Sequence, residues 1–187
     1  LPLDGTVIDL GCGEGYYTHQ LKTEHNHVYG VDISKIAIKK SAKRYADCNF
    51  TVASLNDLPF DDASANSLLC VYAPIFEPEF LRVLKQGGTL LSVTPGPRHL
   101  FDLKSLIYDN PKPHEPSKHT FYPLQQTDCQ SLSYQLNLTN TADRVSLVNM
   151  TPFAFKAKED VLNTLKQTDQ FSCTVDFVLR TFVKNEQ

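Results

Sequence analysis

No apolar run in this chain approaches membrane-spanning length, and no signal-peptide pattern opens it. A membrane protein is therefore not expected, and a cytoplasmic setting is. No Cys-x-x-Cys pair occurs. The five cysteines, Cys12, Cys48, Cys70, Cys129 and Cys173, are scattered, so neither a zinc site nor a disulfide framework is indicated and no metal is expected. An excess of basic residues is also missing. The formal net charge is −3 and the isoelectric point is near 6.1. Nucleic-acid domains are often strongly basic, so tight RNA binding by this chain alone is not expected. No internal repeat or composition break divides it, and residues 1–187 are expected to form one domain. The chain starts at Leu1 rather than Met and enters its first strand almost at once, which suggests an upstream region that is not included.

What is present is enough apolar material for a real core, 41% of 187 residues. The most informative stretch runs from Val7 to Thr18. A short apolar run, Val7 to Leu10, reads as a strand buried on both faces. It stops at Gly11, Gly13 and Gly15, and a helix-compatible segment follows from Tyr16. A strand, a glycine turn and a helix bring backbone close to a nucleotide-like ligand and offer it unpaired N–H groups. A dinucleotide fingerprint needs a sixth-position glycine, where this chain has Tyr16, so a nicotinamide oxidoreductase is disfavoured. Gly-x-Gly-x-Gly preceded by Asp9 resembles motif I of the class I S-adenosyl-L-methionine methyltransferases. Cys12 inside the turn reads as a small packing residue. About twenty residues on, a second strand (27–32) ends in Asp32, where a carboxylate can bond both ribose hydroxyls. Asp32 or Ser34 can equally cap the next helix.

Alternating patterns predict strands near 6–11, 27–32, 49–53, 67–72 and 88–94, and helices near 15–23, 34–46, 77–85 and 98–109. That order implies a mainly parallel sheet with helices on both faces. Residues 110–123 are proline-rich and polar, hence a loop. A strand over 132–139, helices over 142–150 and 158–168, and a strand over 173–184 follow. The two late strands are expected to pair as an antiparallel edge, giving a Rossmann-like α/β fold with seven strands. Ligands in such sheets bind beyond the carboxyl ends of the strands. The third end delivers Ser54 and Leu55, the fourth Tyr72-Ala73-Pro74, and the fifth Arg98 and His99.

Several further segments form a recognisable set. They are Gly-Cys-Gly-Glu-Gly-Tyr-Tyr-Thr (11–18), Leu-Pro-Phe (58–60), Thr-Pro-Gly-Pro-Arg-His-Leu (94–100) and Met-Thr-Pro-Phe-Ala-Phe (150–155). With these, nearly the whole chain resembles the 23S ribosomal RNA guanine-N1 methyltransferases, the RlmA family. The resemblance implies S-adenosyl-L-methionine as cofactor, S-adenosylhomocysteine as product, and 23S ribosomal RNA as substrate. It implies cofactor contacts from Gly13, Glu14 and His99, and flanking of the adenine by the Ser54–Leu55 stretch. It also implies an N-terminal zinc-binding module that engages RNA, which this chain lacks, so weak RNA binding is expected. A homodimer is a further expectation.

Methyl transfer to a ring nitrogen is a direct displacement and by itself calls for no metal. Guanine N1 bears a hydrogen that a base must remove. His99, Tyr72 and Asp57 stand at strand ends as candidates. His99 can instead hold the methionine carboxylate, or be structural. Phe153 and Phe155 can sandwich a flipped guanine, or divide between core and surface. The helix bearing Lys35, Lys39, Lys40, Lys43 and Arg44 offers phosphate contacts or simply a solvated face. A methyltransferase for a small molecule shares every cofactor feature. A non-catalytic cofactor-binding module would need a damaged glycine turn or ribose acid, and neither is seen.

Overall fold

A computed structural model describes residues 2–115, 121–157 and 159–185. Seven strands form one sheet in the order β3-β2-β1-β4-β5-β7-β6. They are β1 (Gly5–Leu10), β2 (Asn26–Asp32), β3 (Asn49–Val52), β4 (Ala65–Val71), β5 (Leu84–Pro95), β6 (Leu124–Leu138) and β7 (Phe171–Lys184). The helices are α1 (Tyr16–Gln20), α2 (Lys35–Arg44), α3 (Glu77–Val83), α4 (Phe101–Ile107), α5 (Thr141–Asn149) and α6 (Glu159–Gln167), with a 3₁₀ turn at Pro152–Phe155. The contacts divide the chain into two compact units. The first is Leu1–Thr94, Lys118–Gln130 and Leu179–Gln187; the second is Pro95–Ser117 and Ser131–Val178. Within the expected loop 110–123, residues 116–120 lie outside the described residues, as does Lys158 at the start of the expected helix 158–168.

In the first unit β1 pairs in parallel with β2 and β4, β2 with β3, and β4 with β5. Strands buried on both faces need apolar residues at nearly every position, which is why β1 reads Val7, Ile8, Leu10 and β4 reads Leu68, Leu69, Cys70 without alternation. Ile8, Leu10, Val31, Leu68, Phe80 and Leu90 anchor its core. The register matters for function. Leu10 sits beside Val31, and Val52 beside Asp32, so three strand ends finish level with one another. Each delivers its next residues to the same place.

The late strands run antiparallel. Thr127 bonds to Thr181, Gln135 to Thr174 and Ser172 to Asn137, so numbers rise on one strand as they fall on the other. β6 is longer than its alternating pattern indicates. Residues 125–131 of its first half are almost all polar and are exposed on both faces of an outer strand, so they carry no hydrophobic period.

The second unit has its own core, built on Leu103, Leu147, Val148, Leu165 and Cys173. Its centre of polar gravity is Arg144, only 2% exposed. The guanidinium donates to the carbonyls of Leu165 (2.7 Å), Asp169 (3.2 Å) and Leu138 (3.4 Å) and to Thr141 Oγ1 (2.9 Å). Five donors in a fixed fork suit such a cluster of carbonyls. Helix α4 starts at Phe101 rather than near 98. Residues 96–100 are held as a turn, with the Gly96 and Arg98 N–H groups donating to the Asp176 carbonyl and carboxylate, and with Leu100 at φ +51°.

Candidate active site

The level strand ends of the first unit enclose a cavity of about 440 Å³ lined by Gly11, Asp32, Ile33, Ser54, Leu55, Val71, Tyr72, Ala73, Pro74 and Phe76. That volume is in the range of small-molecule and cofactor sites. Five expected site residues, Gly11, Asp32, Ser54, Leu55 and Tyr72, meet here. Their neighbours Ile33 and Phe76 were not singled out in the sequence. Their only signal was position, one directly after the ribose acid and one just past the fourth strand end.

The glycine turn wraps the end of β1. Gly11 and Cys12 N–H both donate to the Val31 carbonyl, at 2.8 and 2.9 Å. Gly11, Gly13 and Gly15 all have positive φ. A Cβ on Gly11 would meet the Ala73 Cβ at 2.5 Å, and one on Gly15 would meet Phe50 and Ser41 at 2.8 Å. Gly13 differs, because a Cβ there would meet nothing within 4 Å. Bare backbone facing open space is what a ligand lying on the turn requires. Gly13 N–H donates to Asp32 Oδ2 at 2.9 Å, and Ser34 N–H donates to Asp32 Oδ1 at 2.8 Å. Asp32 is thereby fixed before any ligand arrives, and each oxygen keeps a further lone pair. Ser34 caps α2 by accepting from Ala37 N–H.

Asp9 lies beneath the turn, 2% exposed, and does not line the cavity. It accepts from Thr18 Oγ1 at 2.7 Å and so ties α1 to β1. Burial pushes its carboxyl up to about 6, against the lowering effect of the Thr18 hydrogen bond. The Cys12 thiol is pushed up to about 12, chiefly by burial and then by Asp9 and Asp32, which makes it inert packing. Glu14 points to α2, where it bonds Lys40 at 2.7 Å and lies 3.7 Å from Arg44. Ser54 Oγ is engaged with Asn56 at 2.5 Å.

Tyr72 is 47% exposed on the cavity wall and has φ +55°, a left-handed conformation that costs a tyrosine about 1–2 kcal/mol. Its N–H donates to Val93 O, which holds the strained turn. Behind this wall, Arg82 donates to Glu79, Asp62 and the carbonyls of Leu58 and Phe60. Glu79 also accepts from Leu58 N–H, and the Arg82 hydrogen bond pulls its carboxyl down to about 2.

His99 belongs to the second unit. Its Nδ1 accepts from Asp176 N–H at 3.3 Å, its carbonyl lies 3.1 Å from His114 Nε2, and burial lowers its pKa. In the same unit Phe153 packs on the core and Phe155 is 94% exposed.

A parallel sheet with a glycine turn, a ribose-type acid on the next strand and an open cavity beside them defines a class I, Rossmann-like methyltransferase fold with S-adenosyl-L-methionine as its cofactor. The chain belongs to the methyltransferase-domain family, whose profile matches residues 4–135. It is 29% identical over 180 residues to a Bacillus subtilis protein provisionally named 23S rRNA (guanine-N(1)-)-methyltransferase, covering 91% of this chain and 64% of that one. It is 38% identical over 100 residues to the 23S rRNA (guanine(748)-N(1))-methyltransferase of Streptomyces fradiae, covering 52% of this chain and 36% of the relative. A Coxiella burnetii malonyl-[acyl-carrier protein] O-methyltransferase is 32% identical over 143 residues, covering 72% and 47%. The chain thus spans less than two thirds of each of these relatives. Among solved structures, a Bacillus halodurans protein provisionally described as a methyltransferase shares the fold, with TM-score 0.67, 15% identity, and coverage of 100% and 95%. Among the described residues no helix is long and apolar enough to cross a membrane.

Proposed function

We propose that this chain is the catalytic domain of a cytoplasmic enzyme that methylates N1 of a guanine in 23S ribosomal RNA. The observation that carries this reading is the extent of the likeness to the Bacillus subtilis relative, which runs through 91% of the chain and not only through the glycine turn. S-adenosyl-L-methionine, when bound, supplies a methyl group on a sulfonium, and S-adenosylhomocysteine is the product. Asp32 accepts the ribose hydroxyls with the lone pairs its two backbone donors leave open. Gly13 gives the ligand bare backbone, Gly11 lines the cavity, and Leu55 flanks the adenine. Asp9 and Gly15 position the turn from beneath, and Glu14 anchors it to α2.

His99 belongs to the second unit and does not line the cavity. With Nδ1 accepting from the backbone, the neutral ring carries its proton on Nε2, which makes it a donor rather than a base. Tyr72 is assigned to the acceptor ring, where its hydroxyl relays the N1 proton to solvent as the N–C bond forms.

The test is a methylation assay on unmodified 23S RNA, with nucleoside digests read by mass spectrometry. N1-methylguanosine is expected. A second reading, a small or carrier-bound acceptor, is favoured by the net charge of −3 and by the Coxiella relative. Methylation of malonyl-acyl carrier with no N1-methylguanosine would establish that reading instead. RNA affinity should be weak for this chain and stronger, with steeper salt dependence, for a longer chain bearing an upstream zinc-binding module.

A further inference from the structure

A second group of reactive side chains sits in the first unit away from the cavity. His19 lies in the last turn of α1, and Asp47 and Cys48 lie in the turn between α2 and β3. His19 Nδ1, an Asp47 carboxylate oxygen and Cys48 Sγ all lie within 4.8 Å of one another. The nitrogen and oxygen are 3.6 Å apart. His19 Nδ1 is itself buried and makes no hydrogen bond. Buried polar atoms are nearly always paired, and here an unbonded imidazole nitrogen faces a carboxylate and a thiol, which together are a metal-ligand donor set. The ring is held in this orientation by stacking on Tyr45, with centroids 4.5 Å apart and planes at 13°. The turn is fixed as well, because Cys48 N–H donates to the Tyr45 carbonyl at 3.3 Å.

The donor set selects the ion. Calcium and magnesium take oxygen ligands, whereas nitrogen, oxygen and sulfur together suit zinc. At ordinary zinc bond lengths, tetrahedral ligand atoms stand about 3.3–3.6 Å apart. The His19–Asp47 pair already has that spacing, and rotation of the Cys48 side chain closes the rest. The neighbouring ammonium of Lys22 is drawn off to the Asn26 carbonyl at 2.6 Å.

We propose that His19, Asp47 and Cys48 form a zinc site with three protein ligands and solvent in the fourth position. On binding, Cys48 gives its thiol proton to solvent and ligates as thiolate. The ion joins α1 to the turn before β3, and α1 is the helix that continues the glycine turn.

The test uses the whole chain, titrated with cobalt and then zinc as the only added ligands. One equivalent of cobalt should produce a thiolate-to-cobalt charge-transfer band and tetrahedral visible bands, both abolished by zinc. Zinc should also raise the melting temperature in proportion to the logarithm of its free concentration. Cys48→Ser and Asp47→Asn should weaken cobalt binding about tenfold or more, whereas Cys129→Ser, which removes the exposed free thiol, should not. Should His19→Gln fail to fold, the two exposed-turn variants decide alone, with matched metal-free melting curves as their control. Absence of the charge-transfer band, or its equal loss in Cys48→Ser and Cys129→Ser, would show a histidine–aspartate ion pair only and overturn the site. None of the three residues lines the cavity, so this result is independent of any outcome of the methylation assay.

Discussion

Among the described residues, the buried charged side chains of the two units differ in sign, Asp9 in the first and Arg144 in the second. In the first, carboxylates accept hydrogen bonds from the chain around the site: Asp32 from Gly13 and Ser34, Asp9 from Thr18, Glu79 from Leu58 and Arg82. In the second, a single buried cation, Arg144, donates to carbonyls that the surrounding segments leave over. Acids fixed by donors keep spare lone pairs and can receive a ligand. A guanidinium with four of its five N–H donors engaged within the fold has little left to offer. The first arrangement builds a binding site, and the second builds a clasp.

Breaking the clasp should have the largest effect. Arg144→Ala leaves several buried carbonyls unpaired and should cost about 3–5 kcal/mol. Hydrogen exchange should then show α5 and α6 losing protection while β1, β2 and β4 keep theirs. Uniform loss across both units would mean that they are not separate in stability.

Asp9 sharpens the contrast, because here a site acid costs stability. Its folded pKa, about 6, stands above the ordinary value of 3.8, so the folded state holds the extra proton between these limits. Stability therefore falls as pH rises from about 4 to about 6 and stays reduced above that. Asp9→Asn keeps an acceptor for Thr18 and should stabilise the protein by about 2–3 kcal/mol at pH 7, and by nothing near pH 3.5. Thermal melts of both proteins across that range check the sign. A pH-independent difference would contradict it.

Asp32→Ala should weaken S-adenosyl-L-methionine binding by about 2 kcal/mol, the worth of two hydrogen bonds to a charged group with allowance for relaxation. Calorimetry showing unchanged affinity would remove Asp32 from the ribose site. Smallest is Gly13→Ala. The left-handed backbone costs about 1 kcal/mol of stability, with no clash in the fold. Affinity for the cofactor should drop by more than that if a ligand lies on the bare turn. Equal affinity in calorimetry would put the ligand elsewhere.

The parallel half of the sheet was legible because each feature was local. The apolar run of β1, the alternating glycines and an acid one strand later lie within a short stretch. Asp32 had two competing roles in the sequence, and in the fold it is bonded to the backbone beside the helix cap while retaining acceptor capacity. What stayed hidden was made by distant partners. Arg144 drew no notice, since carbonyl acceptors carry no sequence signature. Helix α1 ends at Gln20, short of the expected 23, because Asn26 bonds the Leu21 carbonyl and the Thr23 N–H. His19 and Cys48 lie too far apart in the chain to form a recognisable ligand spacing, so the expectation of no metal followed from spacing alone.

The outer strand β6 has one further consequence, for the life of the protein in a crowded solution. An unpaired strand edge is an invitation to self-association into fibrils. In β6 Asp128 folds its own carboxylate back onto the Cys129 N–H at 2.8 Å and takes the Gln130 side chain on its other oxygen. One backbone donor of the edge is thus occupied by a charge that also repels an approaching copy. The polar run that hid this strand from its hydrophobic pattern also denies another strand an apolar face to pair on, and replacing Asp128 by valine would favour aggregation without touching the active site.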